Sequence, residues 1–228
     1  MNILIGDSRS RNLDKQDHLK GIVEVWAKPG AGLDRVSAMI EDHYFFHHGG
    51  QPIHNGINHY YIMAGICQVT NKIRNPKERY EEVVYKETPN ETLQKIIPQV
   101  ANIRCQIKEL EAIPVFCPLY PIDLFTWNDC RLNQSKTIQL KYQDEYETMQ
   151  VALNQAIVQI NEHLTQINRL ENVATPMIHR CLQHNRKNRK PENFTWQLHK
   201  MSDGCHPDDL LANEIAKSIS RAIRINRQ

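Results

Sequence analysis

No stretch of the 228 residues approaches the roughly 20 consecutive apolar positions that a bilayer-spanning helix needs, so no membrane segment is expected. The N-terminus has no basic region followed by a long apolar run, and no secretory leader is read there. An excess of one charge is missing too. The 28 Lys and Arg against 26 Asp and Glu leave a formal net charge of +2, which argues for neither a nucleic acid nor a membrane surface as partner. Cys67, Cys105, Cys117, Cys130, Cys181 and Cys205 include no Cys-x-x-Cys spacing, so neither a zinc site nor a disulfide frame is suggested. Reduced thiols and an intracellular, by default cytoplasmic, location are the expectation. The turn after the first apolar run also lacks the glycine-rich sequence that cradles phosphate, which disfavours a flavodoxin-like phosphate-binding domain.

What is present is the composition of a soluble globular protein, 40% hydrophobic and 24% charged, long enough for a substantial core. The chain is organised around its start. Ile3-Leu4-Ile5 reads as a buried strand of a parallel sheet, Gly6 permits a sharp exit, and Asp7-Ser8 follows at the strand's carboxyl end. Ligands of open α/β sheets bind at that end.

Arg9 to Lys20 is polar, a short helix or loop, and Ile22 to Trp26 is a second strand. Leu33, Val36, Met39 and Ile40 recur at helical spacing, so a helix runs from Leu33 to about His47 and stops at Gly49-Gly50. Tyr60 to Ile66 forms a third strand. An excursion from the core is expected over about 71–111, with Val83-Val84-Tyr85 as a short edge strand. Thr88-Pro89-Asn90-Glu91 is a capping box that opens a helix running to about Glu111 and kinked near Pro98. Ala112 to Pro118 is a fourth strand, and Leu119 to Lys136 reads as irregular. Tyr142, Tyr146, Met149, Leu153, Ile157, Ile160, Leu164 and Ile167 form one apolar stripe on a long helix over roughly 135–169. Val173 to His179 is a fifth, weaker strand. Pro207 opens a last helix with Leu210, Leu211, Ile215, Ile219 and Ile223 on its inner face. Strands alternating with helices predict a single α/β domain over 1–228, a three-layer α/β/α sandwich with a mainly parallel, roughly five-stranded central sheet.

A serine hydroxyl needs a base to become a nucleophile, usually a histidine oriented by a carboxylate. Asp203-Gly204-Cys205-His206 can supply both from one turn. Taken alone, the same spacing also suits an N-capping turn for the helix that follows. Cys205, between the two, reads as a packing residue. His43, His47, His48, His54 and His59 are dense around a Gly-Gly turn but match no zinc spacing, and they read as a polar rim that could touch substrate. Arg186, Lys187, Arg189 and Lys190 lie in a basic run, 180–190, without interleaved aromatics. It reads as a solvated face rather than a nucleic-acid contact.

Taken together, Ile5-Gly6-Asp7-Ser8, Lys28-Pro29-Gly30-Ala31 and Asp203-Gly204-Cys205-His206 resemble three blocks of the GDSL-type, or SGNH, hydrolases, in the family's order and across nearly the whole chain. The resemblance implies a flavodoxin-like sandwich and a catalytic triad of Ser8, His206 and Asp203. It also implies an oxyanion hole from the backbone of Ser8 and of Gly30, with Gly32 as the alternative. The family's third block, Gly-x-Asn-Asp, departs here to Gly65-Ile66-Cys67-Gln68, so Cys67 stands at the oxyanion asparagine. Asn71 lies four residues on, whereas Asn58 precedes the strand, at its wrong end. The implied activity is hydrolysis of a small or polymer-borne acyl ester, acetyl among the candidates, without metal or organic cofactor. The alternative is a catalytically weak or inactive SGNH-like binding or scaffolding domain, for instance from a mobile-element or viral polyprotein.

Overall fold

In a computed structural model, residues 2–48, 59–75, 80–132, 140–184 and 195–228 are described. Strands β1 (Asn2–Gly6), β2 (Glu24–Ala27) and β3 (His59–Met63) pair in parallel, together with a later strand at Ile113–Phe116. Their order across the sheet places β2, β1 and β3 side by side, then Ile113–Phe116 at the edge. The chain turns from β1 to β2 on one side, then crosses back to β3 on the other. Such a reversal opens a crevice at the carboxyl ends of β1 and β3, and Ser8 follows β1 there.

Every residue of β1 and β3 is buried, as expected of parallel strands covered on both faces. Alternation sorts them: Ile3, Ile5, Tyr60 and Ile62 enter one core, and Leu4, Tyr61 and Met63 the other. The first core is closed by α1 (Leu33–His48), by a helix at Pro89–Glu109 and by one at Tyr146–Leu170. The second is closed by the C-terminal helix, Asp209–Asn226. These layers make the α/β/α sandwich. Among the described residues no helix is long and apolar enough to cross a membrane.

Between β3 and the edge strand lie α2 (Ile66–Val69), an antiparallel pair β4 (Asn71–Asn75) and β5 (Tyr80–Val84), and α3 (Pro89–Glu109). The hairpin stands apart from the central sheet. Both segments of the expected 71–111 excursion nevertheless feed the first core: Val83 and Val84 of the hairpin and Ile96, Val100, Ile103 and Ile107 of the helix are buried in it. The capping box forms as read, Glu91 N–H donating to Thr88 and the Glu91 carboxylate accepting from Thr88 N–H, and Pro98 lies inside the helix. After β6 (Ile113–Phe116) comes α4 (Leu124–Leu132), in a stretch read as irregular. Helix α5 (Tyr146–Leu170) starts later than the sequence stripe suggests. The buried Glu82 carboxylate accepts the Lys141 and Tyr142 N–H groups at 3.2 and 3.0 Å, which holds that turn outside the helix. Helix α6 (Asp209–Asn226) begins two residues after Pro207, and Asp208 caps it, accepting from Leu211 N–H at 2.7 Å. Leu210 is 78% exposed, because the buried stripe is 211, 215, 219 and 223 and Leu210 lies a residue off it.

Among the described residues the central sheet has four strands, and the expected strand at 173–179 is not one of them. Val173 to Met177 is without regular structure, and Ile178–Leu182 is a 3-10 turn. The outer edge of β6 is satisfied by other means. Pro114 has no N–H to offer there. The Asn168 carboxamide, fully buried on α5, accepts from Phe116 N–H and donates to Phe116 C=O, both at 2.8 Å. Seven residues earlier on the same helix face, Asn161 treats Leu119 likewise at 2.6 and 2.8 Å, and Gln150 accepts from Leu124 N–H and donates to Ile122 C=O. Side-chain amides thus stand in for a fifth strand. Asn168→Leu keeps the branched shape but strands two buried backbone groups, and is expected to destabilise by about 2–4 kcal/mol, read as a fall of roughly 5–15 °C in Tm. A Tm within two degrees of the parent, on the order of 0.5 kcal/mol, would refute this role for the amide.

Candidate active site

Three short connections meet at the carboxyl end of β1. Gly6 C=O accepts from Lys28 N–H at 3.1 Å and Asp7 N–H reaches Met63 C=O at 3.3 Å, so the segments leaving β2 and β3 flank the turn at Ser8. That turn is closed by side chains. Asp7 Oδ1 accepts from Arg9 N–H at 2.9 Å, and Asp7 C=O accepts from both the N–H and Oγ of Ser10. Ser8 is half-buried between Asp7 and Arg9, which are 1% and 2% exposed.

The chain brings its other end to the same place. His206 Nε2 lies 2.9 Å from Ser8 Oγ, and His206 Nδ1 lies 2.6 Å from Asp203 Oδ2. The two motifs, 198 residues apart, therefore form one continuous relay. Asp203 Oδ1 is used as well, accepting from the N–H groups of Cys205 and His206 at 2.9 and 2.7 Å. The helix cap is Asp208, so the reading of Asp203-x-x-His206 as a capping turn does not hold. Partial burial works against the Asp203 charge. The His206 ring and the two backbone donors outweigh it and hold the carboxyl below its ordinary range. A carboxylate facing Nδ1 requires the proton there, which leaves the Nε2 lone pair toward the serine hydroxyl.

Gly204 makes this turn possible. Its φ is +78°, and a Cβ would sit 2.6 Å from Trp127 N and 2.8 Å from Asp123 C=O. Its own carbonyl accepts from Asp123 N–H at 2.7 Å. Trp127, on α4, packs its ring 5.5 Å from the His206 ring.

The remaining expected residues are distributed unevenly. Gly30 is exposed in a turn closed by Ala31 N–H to Lys28 C=O, whereas Gly32, the alternative, is buried at the start of α1. The Gln68 carboxamide lies against the Gly32 α-carbon, leaving no room for a Cβ, and its Nε2 donates to Asp34 at 2.8 Å. Cys67 is on α2, half-buried. Burial first, and then the Asp7 charge, raises its thiol pKa, so it stands as a neutral thiol near the Ser8 turn. Cys205 is pushed up to about 12, chiefly by burial, in keeping with a packing role. Asn71 pairs with Val84 on β4. Of the histidines, His59 starts β3 at the end of the sheet opposite Ser8, its pKa lowered by burial. The side chains of His43, His47 and His48, the residues His54 and Asn58, and the basic positions Arg186, Lys187, Arg189 and Lys190 lie outside what is described. Among the described residues no group of three His, Cys, Asp or Glu could hold a metal ion.

Sequence reasoning missed Arg9, Trp127 and the amides of α5. The only signal for the last was polar Asn161 and Asn168 set seven apart on an otherwise apolar stripe. For Arg9 it was an opposite charge two residues after Asp7.

No family model matches the sequence, and no curated protein matches it either. Solved structures do. A GDSL-like lipase from Bacteroides thetaiotaomicron superposes with a TM-score of 0.57 at 12% identity, over 98% of this chain and 87% of that one. A lipolytic protein of the G-D-S-L family from Veillonella parvula gives 0.55 at 10% identity, over 96% of each chain. An acetyl xylan esterase gives 0.52 at 11% identity, over 97% and 99%. With its parallel sheet, its covering helices and these neighbours, the chain has the fold of the GDSL-type, or SGNH, hydrolases.

Proposed function

We propose that the protein, as one domain over residues 1–228, is a serine ester hydrolase acting on a small or polymer-borne acyl group. Ser8 attacks the acyl carbonyl, and His206 Nε2 takes the hydroxyl proton and passes it to the leaving alcohol. Asp203 fixes the imidazole tautomer and offsets the imidazolium charge. Water then attacks the acyl-enzyme with His206 again as base, releasing the acid and restoring Ser8. The backbone N–H groups of Ser8 and Gly30 hold the oxyanion, with the Cys67 thiol as a weak third donor. None of these steps draws on a metal or an organic cofactor. The single observation that carries the reading is the unbroken relay from Ser8 Oγ through His206 to Asp203, at 2.9 and 2.6 Å. Its acetyl ester version is in keeping with the acetyl xylan esterase among the structural neighbours. All six cysteines are free thiols, which favours a reducing, intracellular setting.

The test is covalent labelling with a fluorophosphonate, which reports an activated serine whatever the natural ester. The native protein is expected to be labelled, and Ser8→Ala and His206→Ala to take no label. A folded native protein that stays unlabelled sinks the hydrolase reading. It would leave the second one, an SGNH-like binding domain, which the cysteine at position 67 favours.

A further inference from the structure

Asp7 and Arg9 form an ion pair that is closed to solvent and wraps around the one residue between them. The guanidinium donates through Nε to both Asp7 oxygens at 3.2 Å and through Nη2 to Oδ2 at 2.9 Å. Its remaining arm, Nη1, donates to Tyr120 C=O at 3.1 Å, and its Cζ lies 4.7 Å from the centre of the buried Tyr120 ring. Burial disfavours the guanidinium's charge, yet Asp7 and Tyr120 outweigh that and raise its pKa. A buried ion pair is a poor device for stability, since apolar residues of similar volume often serve as well. Its place around Ser8 points to geometry instead.

Tyr120 begins a strap whose far end reaches the other half of the relay. The Asn161 amide pins Leu119, just before it, and Gln150 pins Ile122 and Leu124. Asp123 N–H donates to the carbonyl of Gly204, inside the Asp203–His206 turn, at 2.7 Å. The Asp123 carboxylate caps α4 through the N–H and Oγ1 of Thr126, and that helix carries Trp127 onto the His206 ring. Ser8 and His206 are thus joined twice, directly across 2.9 Å and indirectly through Arg9, the strap and Gly204.

We infer that Arg9 is a positioning residue for the reaction of Ser8, setting the serine turn against the Asp203–His206 turn through the Tyr120–Asp123 strap. This rests on the hydrolase reading above. Arg9 touches no reacting atom. Its effect is on how often Ser8 Oγ and His206 Nε2 stand within hydrogen-bond reach, and misplacement by about 1 Å can lower a rate on the order of 10²-fold.

Arg9→Met alone leaves Asp7 buried and uncompensated and can unfold the chain, so the test uses two other variants. Asp7→Asn/Arg9→Met removes both charges, keeps an acceptor for the residue-9 N–H and cuts the link to Tyr120. Arg9→Lys keeps the charge but cannot span both Asp7 and Tyr120. The rate of fluorophosphonate labelling and the hydrolysis of p-nitrophenyl acetate are measured on protein shown to be folded by circular dichroism. Asn168→Leu serves as a control that lowers stability away from the strap. The double variant is expected to be labelled about 10- to 100-fold more slowly, with kcat falling and KM unchanged, Arg9→Lys lying between it and the parent. The control is expected to keep the parental rate. Parental rates in both Arg9 variants, or in Arg9→Lys if the double variant does not fold, overturn the inference while leaving the hydrolase reading intact. So does a loss confined to KM. No labelling of the parent overturns both.

Discussion

Asp203→Asn is expected to lower ester turnover by about 10⁴-fold while leaving the protein folded. The substitution is nearly isosteric, and the geometry decides which way the new amide must face. Asp203 Oδ1 accepts from two backbone donors, the N–H groups of Cys205 and His206. An amide turned with its NH₂ toward them would set donor against donor, so the carbonyl oxygen stays there and the turn survives. The NH₂ is then forced toward His206 Nδ1, where the carboxylate oxygen had been at 2.6 Å. A donor facing Nδ1 drives the ring proton to Nε2, and Nε2–H then faces Ser8 Oγ with no lone pair to accept its proton. The imidazolium formed during attack also loses its counter-charge. Hydrolysis of p-nitrophenyl acetate by the variant, with a thermal melt beside it, is the measurement. A loss smaller than about tenfold in a folded variant would mean that the pair takes no part in the chemistry.

The elements of this relay were readable in the sequence because each carries a local signature. A short apolar run ending in glycine, and a carboxylate and histidine three residues apart, depend only on neighbours in the chain. The same holds for the capping box at Thr88 and the apolar stripes of α5 and α6, which follow from helical period. The departures all come from tertiary partners. Val173 to Met177 has a composition that suits a strand, but the β6 edge it would have joined is taken by Asn168. The front of α5 has helical spacing, but Glu82, from a hairpin some sixty residues away, claims its backbone. Leu119 to Leu124 looks irregular because much of its order is imposed from outside, by Asn161, Gln150 and Gly204. Arg9 belongs with these: nothing near it in sequence announces that Tyr120 will receive its last hydrogen bond.

Cys67→Asn is expected to raise turnover by about 10²-fold, because a missing oxyanion donor typically costs 10²–10³. Cys67 sits on the turn that leaves β3, beside the strand that delivers Ser8, and its thiol feels the charges of Asp7 and Arg9. A neutral thiol there is a weak hydrogen-bond donor, whereas an asparagine amide is a strong one of only slightly larger volume. The adjacent Gln68 Nε2 donates to Asp34 at 2.8 Å, and the Asn71 backbone is held in the β4 register opposite Val84. The oxyanion would then rest on backbone N–H groups and one weak thiol donor, the arrangement expected of a slow enzyme. The variant separates the two functional readings by direction. A rise in p-nitrophenyl acetate hydrolysis, abolished again by adding Ser8→Ala, means that the relay works and that position 67 throttles it. An unchanged rate in a protein that still takes the fluorophosphonate label means that the backbone donors suffice and that Cys67 lies outside the hole. If neither parent nor variant is labelled, Ser8 is not activated, and the crevice at the end of β1 belongs to a binding domain.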